Sequence, residues 1–135
     1  MKRAPHGSKG TALIEFAGSL ILLSTMFAGI FQAGYSFYTY NTLVNAVRSG
    51  ARYASQHPAG PIKAVQNLVV YGEPAPAAGA KPIVSGLTPA SVEIVFAPES
   101  TTVSIRGFEL DALFSKVKLD GRPSVTFPLT GEASQ

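Results

Sequence analysis

Side chains that could carry out chemistry are scarce in this 135-residue chain. It contains no cysteine, which excludes a disulfide framework, a cysteine-ligated zinc site and a thiol nucleophile. Its two histidines, His6 and His57, are too few for a multi-histidine metal site. The sequence has no phosphate-binding loop, nucleophile elbow or HExxH motif. We therefore expect no catalysis, no bound metal and no cofactor.

One carboxylate lies where it is energetically unfavourable. Glu15 begins a strongly apolar stretch, and no residue from Phe16 to Val47 is charged. An ionisable group inside a membrane helix costs about 3 kcal/mol near the bilayer centre and less near an interface, so it indicates a function. Alternatively, Glu15 lies in the head-group layer, where the positive end of the helix dipole favours it. The residues alone leave both interpretations open.

The apolar stretch is long enough to cross a bilayer, which takes about 20 helical residues. Residues 20–31 are almost continuously apolar, and an aromatic cluster follows where the far interface would lie: Tyr35, Phe37, Tyr38 and Tyr40. The residues after Gln56 are too few to cover a helix that is apolar on every side, which argues against a soluble core helix. A secretory signal peptide is a further alternative. Its apolar region usually spans about 7–15 residues, which is shorter than the apolar stretch of this chain.

The helical pattern continues beyond the membrane stretch, so one helix over residues 11–56 is predicted. Polar residues share one face of its second half: Asn41, Asn45, Arg48 and Arg52. Mostly apolar residues share the other face: Leu43, Val47, Gly50 or Ala51, and Ala54. Pro58, Gly60 and Pro61 end the helix.

The net charge of +3 belongs to the start of the chain. Lys2, Arg3 and Lys9 lie in the first ten residues, and the eight remaining cations balance the eight acidic residues. Without a clustered basic face, nucleic-acid binding is not expected. The cationic start favours a cytoplasmic N-terminus, although Arg48 and Arg52 beyond the apolar stretch weaken that signal.

The start of the chain resembles the leader of type IV pilin-like proteins. The resemblance is carried by a short cationic leader followed by Gly10-Thr11-Ala12-Leu13-Ile14-Glu15-Phe16 and the apolar stretch. It implies that a prepilin peptidase cuts after Gly10, which leaves Thr11 as the new amino terminus. Glycine suits such a site because the peptidase must approach a backbone without a side chain. Glu15 and Phe16 would become the fifth and sixth mature residues, and the Glu15 carboxylate would pair with the Thr11 ammonium of an adjacent subunit.

A second segment narrows the resemblance to TadE-like proteins of the Tad (Flp) pilus system. Residues 46–54 (AVRSGARYA) are similar to the A-x-R-x-G-A-R-x-A segment that ends the long helix in that family. The major Flp pilin is essentially a leader and a helix, so residues 57–135 favour a TadE-type minor pilin or pseudopilin. The implied partners are the prepilin peptidase, TadE/TadF-type minor pilins, the Flp pilin, the inner-membrane Tad platform with its ATPase, and the lipid bilayer.

Two pairs of residues in the long helix are candidate interface positions. Gly29 and Ala33 form a small-xxx-small pair that would allow close contact with another helix, although membrane helices are commonly rich in such residues. Arg48 and Arg52 could pair with acidic protein partners or with lipid phosphates, and the sequence does not decide between these.

The predicted fold class is α+β, with three regions: a leader over residues 1–10, the long helix over 11–56, and a small exported module over 57–135. Within the module a short helix is predicted over Ile62–Tyr71 and a flexible Ala/Pro/Gly-rich loop over residues 72–82. Residues 91–96 and 101–106 alternate as strands around a turn at 97–100.

The end of the module predicts a second hairpin. Residues 117–119 and 124–127 flank Asp120-Gly121, a strong turn signal, and Pro123 would place the last strand at a sheet edge. We expect a three- or four-stranded antiparallel sheet packed on one helix, covered by Phe108, Leu110, Leu113 and Phe114.

Two alternatives to a processed minor pilin follow from the same residues. An uncleaved single-pass inner-membrane anchor would present a periplasmic binding module and keep Met1. A secreted soluble protein would begin beyond roughly residue 30, after removal of a signal peptide. The favoured location is the bacterial inner membrane, with the N-terminus cytoplasmic and the C-terminus periplasmic.

Overall fold

The structure, a computed structural model, describes residues 8–58, 60–112 and 115–129. These residues form an α+β arrangement of a long helix, a short helix and two antiparallel sheets. The contacts divide the chain into two compact units, the first ending at Tyr35 and the second beginning at Ser36.

The long helix α1 spans Ser8–Gln56, which is 49 residues. At about 1.5 Å per residue it is about 74 Å long. It ends at Gln56, as the sequence predicts, because Pro58 and Pro61 cannot continue it. It begins at Ser8, earlier than predicted, because no proline or other strong helix breaker lies between Ser8 and Gly10.

In the first unit, α1 exposes its apolar side chains. Every large apolar side chain from Leu13 to Tyr35 is exposed, including Phe16, Phe27 and Phe31. The described residues contain one helix that is long and apolar enough to cross a membrane, Gly10–Gln56, and its most apolar window is entirely unburied. Apolar surface of this extent indicates burial in lipid or against other helices.

In the second unit, one face of α1 packs into a core. The buried face carries Leu43, Val47, Ala51 and Ala54, as the sequence predicts, and the polar face is exposed. The short helix α2 spans Ile62–Tyr71, as predicted, and buries Val65, Val69 and Val70. It ends at Gly72, whose left-handed backbone (φ 79°) lets its N–H donate to the Leu68 carbonyl.

A three-stranded antiparallel sheet completes the core. Strands β1 (Val92–Ala97) and β2 (Ser100–Ile105) form the predicted hairpin, and β5 (Ser124–Pro128) pairs with the other side of β2. Val103 of β2 faces Ile94 of β1 and Val125 of β5, so alternate residues of all three strands share the core face. Strand β5 lies at the sheet edge, as the position of Pro123 predicts.

The predicted hairpin at Asp120-Gly121 is wrong. Strand β4 (Ser115–Leu119) pairs with β3 (Phe108–Ala112) in a separate two-stranded sheet. One physical reason is the charge on this pair, since Glu109 lies 3.8 Å from the Lys116 ammonium and 3.6 Å from that of Lys118. The chain then crosses from β4 to the other sheet.

The predicted three- or four-stranded antiparallel sheet is confirmed as the three-stranded sheet, and the structure adds a second sheet of two strands. Phe108 and Leu110, predicted to cover the sheet, are buried residues of strand β3. Leu113 and Phe114 lie outside the described residues. Residues 72–82, predicted as a loop, contain no helix or strand.

Candidate processing and assembly site on the long helix

The predicted cleavage position lies in the first turns of α1. Gly10 and Thr11 are both exposed, and among the described residues no atom outside the local helix backbone lies within 4 Å of where a Cβ on Gly10 would be. The packing of the described residues therefore gives no reason for glycine at this position. The first four N–H groups of a helix lack intrahelical acceptors, so this turn is also the easiest to unwind for an enzyme.

Glu15 and Phe16 follow one turn later. Glu15 is exposed and makes no ion pair with any described residue, and Phe16 is exposed beside it. Thr11 and Glu15 are four residues apart, so they lie on the same side of the helix. A carboxylate without a partner, next to exposed apolar side chains, requires a counter-charge if this surface is buried.

The structure places four of the predicted residues on one stripe of α1. Because α1 is regular from Ser8 to Gln56, residues about 3.6 positions apart align. Ala33 follows Glu15 by about five whole turns, so the two side chains leave the helix in the same direction. Thr11 and Gly29 lie within about 40° of Glu15 around the helix axis. Gly29 and Ala33 are exposed, and no atom lies within 4 Å of a Cβ built on Gly29. This stripe, which we call the acid–glycine stripe, presents a carboxylate and a shallow contact surface to the same side.

Arg48 and Arg52 belong to the second unit and point away from its core. Both are exposed, and neither forms an ion pair with a described residue. The opposite face of the same segment carries Ala46, Gly50 and Ala54, all buried. The A-x-R-x-G-A-R-x-A segment is thus divided between a packed face of small residues and an exposed face of arginines.

Gly50 is the position whose role sequence reasoning missed. A Cβ at Gly50 would overlap Cγ2 of Val69 in α2 and would also contact Val65. The glycine therefore permits the close approach of the two helices. The spacing of Ala46, Gly50 and Ala54, four residues apart along one face, was the signal that could have predicted this contact.

Two other ionisable side chains of the second unit, Glu93 and His57, have structural partners. Glu93 accepts from Arg106 Nε at 2.6 Å and from the Ser104 hydroxyl at 3.3 Å. His57 stacks on Tyr53 with ring centroids 4.5 Å apart. Among the described residues there is no group of three His, Cys, Asp or Glu side chains that could hold a metal ion.

One known protein family matches part of the long helix. The model of the TadE-like protein family matches residues 10–52. The chain is thus similar to this family over 43 of its 135 residues. The match begins at Gly10, covers Glu15, Gly29 and both arginines, and ends before α2. No curated protein and no solved structure matches the chain.

The family match supports a protein associated with a Tad pilus system. The apolar part of the TadE-like segment, as a single long helix, fits a single-pass membrane anchor. TadE-like proteins are not known as enzymes.

Proposed function

We propose that this chain is a TadE-type minor pilin or pseudopilin that is processed between Gly10 and Thr11 and then takes part in Tad pilus assembly or secretion. The observation that carries the proposal is the start of the TadE-like match at Gly10, a glycine that the fold itself does not require. A peptidase that requires glycine before the cut would account both for the start of the match and for a glycine without a packing role.

The topology follows from the charges and exposed side chains of α1. The cationic leader stays on the cytoplasmic side, where a prepilin peptidase of the inner membrane hydrolyses the Gly10–Thr11 bond. The exposed apolar side chains from Leu13 onward remain in the bilayer, and the exposed aromatic residues lie at the far interface: Tyr35, Phe37, Tyr38 and Tyr40. The second unit is then periplasmic.

Cleavage changes the electrostatics of the acid–glycine stripe. It releases a Thr11 ammonium at the end of a helix that carries an unpaired Glu15 carboxylate. In a subunit array, the ammonium of one chain pairs with the carboxylate of its neighbour, which offsets the cost of burying either charge in a low-dielectric environment. The pair also fixes the axial register, since only one offset between neighbouring helices brings the two groups together.

Gly29 and Ala33 lie on the same stripe and extend this contact. Small residues let two helix backbones approach closely within the membrane, where helix packing replaces the hydrophobic effect as the driving force. The neighbouring helices come from other TadE/TadF-type subunits or from the Flp pilin, on the inner-membrane Tad platform.

The proposal is tested by replacing Glu15 in cells that depend on this chain for pili. Glu15→Val is expected to leave membrane insertion and the mature N-terminus unchanged but to reduce the sheared pilus fraction to the level of a strain lacking the protein. Ser24→Val is the matched control, because Ser24 is an exposed polar residue of the same apolar helix on the opposite side. Normal pilus yield with Glu15→Val would show that the ammonium–carboxylate pairing is wrong.

A further inference from the structure

Arg48 and Arg52 differ from the cations that are paired within the second unit. Arg106, Lys116 and Lys118 lie within 4.0 Å of a carboxylate. Arg48 and Arg52 are exposed one helical turn apart, without an ion pair to any described residue. Lys63, Lys81 and Arg122 are also exposed and unpaired among the described residues, but they are far apart in the sequence, whereas the two arginines lie on one face of one helix. Beyond Gly10 the cations and acidic residues of the chain are equal in number, so the arginine pair is not part of a net excess of cations.

An open groove of about 310 Å³ lies beside these arginines. Thr42, Asn45 and Ser49 of α1 line one wall, and Leu68 and Ile83 line the other. The side chains of Asn45 and Ser49 make no hydrogen bond to a described residue. Each is three positions from an arginine on the same helix, so the groove and the arginine pair are adjacent.

The position of the groove along α1 places it outside the hydrocarbon layer of a membrane. Gly72 and Ile83 line the groove together with the α1 segment that begins at Thr42. The loop between Gly72 and Ile83 carries two exposed charged residues, Glu73 and Lys81. Charged loop residues do not lie in hydrocarbon. The bilayer core therefore ends before Thr42 along α1.

This boundary places the arginines relative to the lipid head groups. Arg48 lies about 9 Å and Arg52 about 15 Å beyond Thr42 along the helix axis. The head-group layer of one leaflet is about 5–8 Å thick. The Cα of Arg52 thus lies beyond the head groups, and the adjacent groove, with Asn45 and Ser49 on its wall, favours a protein segment over a lipid phosphate as the partner of the pair.

We propose that Arg48, Arg52 and the adjacent groove form a docking surface for an acidic segment of another pilus subunit. That segment presents two carboxylates about 6 Å apart, the axial spacing of residues four positions apart on a helix, and inserts an apolar side chain between Leu68 and Ile83. Charge complementarity selects the partner, and the groove fixes its position. The inference rests on the proposed function, because it takes the partner to be a subunit of the same assembly.

Site-specific crosslinking in inner-membrane vesicles tests the docking surface. The chain has no cysteine, so a benzophenone probe on Asn45→Cys of the full-length protein labels one position only. The vesicles come from cells that make the Tad apparatus. We expect an adduct with another Tad subunit, attached next to at least two acidic residues.

Charge variants decide whether the arginines carry the interaction. Arg48→Glu/Arg52→Glu is expected to lower the adduct yield more than about tenfold, as for the loss of close interfacial charge pairs, while Arg48→Lys/Arg52→Lys retains most of it. Reversing the acidic residues of the crosslinked segment to lysine is expected to restore the adduct with the Glu variant.

Three results would overturn the docking surface: an undiminished adduct in the Glu variant, an adduct with phospholipid alone, or no polypeptide adduct. The N-terminus of each variant is sequenced in the same samples. A chain that begins at Thr11 but gives no adduct contradicts the docking surface alone, whereas a chain that keeps Met1 contradicts the proposed processing.

Discussion

Gly50 of α1 and Val69 of α2 are so close that a Cβ at position 50 would overlap Cγ2 of the valine. Val47, Val65 and Val69 are almost fully buried in the same core cluster. The TadE-like match ends two residues after Gly50. The glycine of the matched segment thus packs against α2, which the match does not cover.

Gly50→Ala is expected to destabilise the second unit by about 1–3 kcal/mol, because the added methyl group overpacks the contact with Val69. The measurement is urea unfolding of the full chain in detergent, followed by the protease resistance of the second unit. Gly34→Ala is the control, because nothing lies within 4 Å of a Cβ at Gly34. In the double variant with Val69→Ala, the two effects should partly cancel. Additive destabilisation would contradict the contact.

Gly10→Ala is expected to block processing, because the peptidase would meet a methyl group on the residue before the cut. Gly18→Ala is the matched control, since both glycines lie in exposed α1 with open space around a Cβ and both substitutions raise helix propensity by about 1 kcal/mol. Immunoblots of membranes should show only the longer chain for Gly10→Ala and only the shorter one for Gly18→Ala. Equal processing of the two variants would show that the peptidase does not require glycine at position 10.

Gly29→Leu is expected to lower the pilus yield without affecting processing, because a large side chain on the acid–glycine stripe would separate neighbouring helices. Gly34→Leu provides the comparison. It places the same side chain in equally open space, but about 100° around the helix from the direction of Glu15. Sheared pili are quantified for both. Equal yields would show that the stripe is not the contact face.

The strand order is tested with pairs of cysteines in a chain that has none. Thr102 and Thr126 lie opposite each other in β2 and β5, with hydroxyl oxygens 2.8 Å apart. Thr102→Cys/Thr126→Cys is therefore expected to form a disulfide when the purified protein is oxidised and to raise its stability by about 2–4 kcal/mol. Val117→Cys/Thr126→Cys, which would be joined in the rejected hairpin, should stay reduced. The opposite result would contradict the observed topology.

The elements that were predicted well are those whose signals are local. Helix α2 has the predicted bounds because Pro61 and Gly72 enclose its apolar spacing. The two faces of α1 were predicted because helical periodicity alone separates Leu43 and Val47 from the arginines.

The errors concern contacts between segments that are distant in the sequence. Asp120-Gly121 does form a bend, with Gly121 at φ 71°, but the partner of β5 is chosen by its alignment with Val103 in β2. The close packing of Gly50 on Val69 is likewise decided by α2 and not by α1. The roles of the candidate site residues stay predictions from the sequence, whereas the alignment of Glu15 with Gly29 and Ala33 follows from one regular helix over the whole distance.

The most direct test of the processed minor pilin is the N-terminal sequence of the protein purified from membranes of cells with an active prepilin peptidase and from matched cells with an inactive one. We expect Thr11 as the first residue in the former and Met1 in the latter. An initiator methionine in cells with the active enzyme would contradict the processed minor pilin and favour an uncleaved anchor. A start beyond roughly residue 30 would contradict it as well and favour a secreted protein.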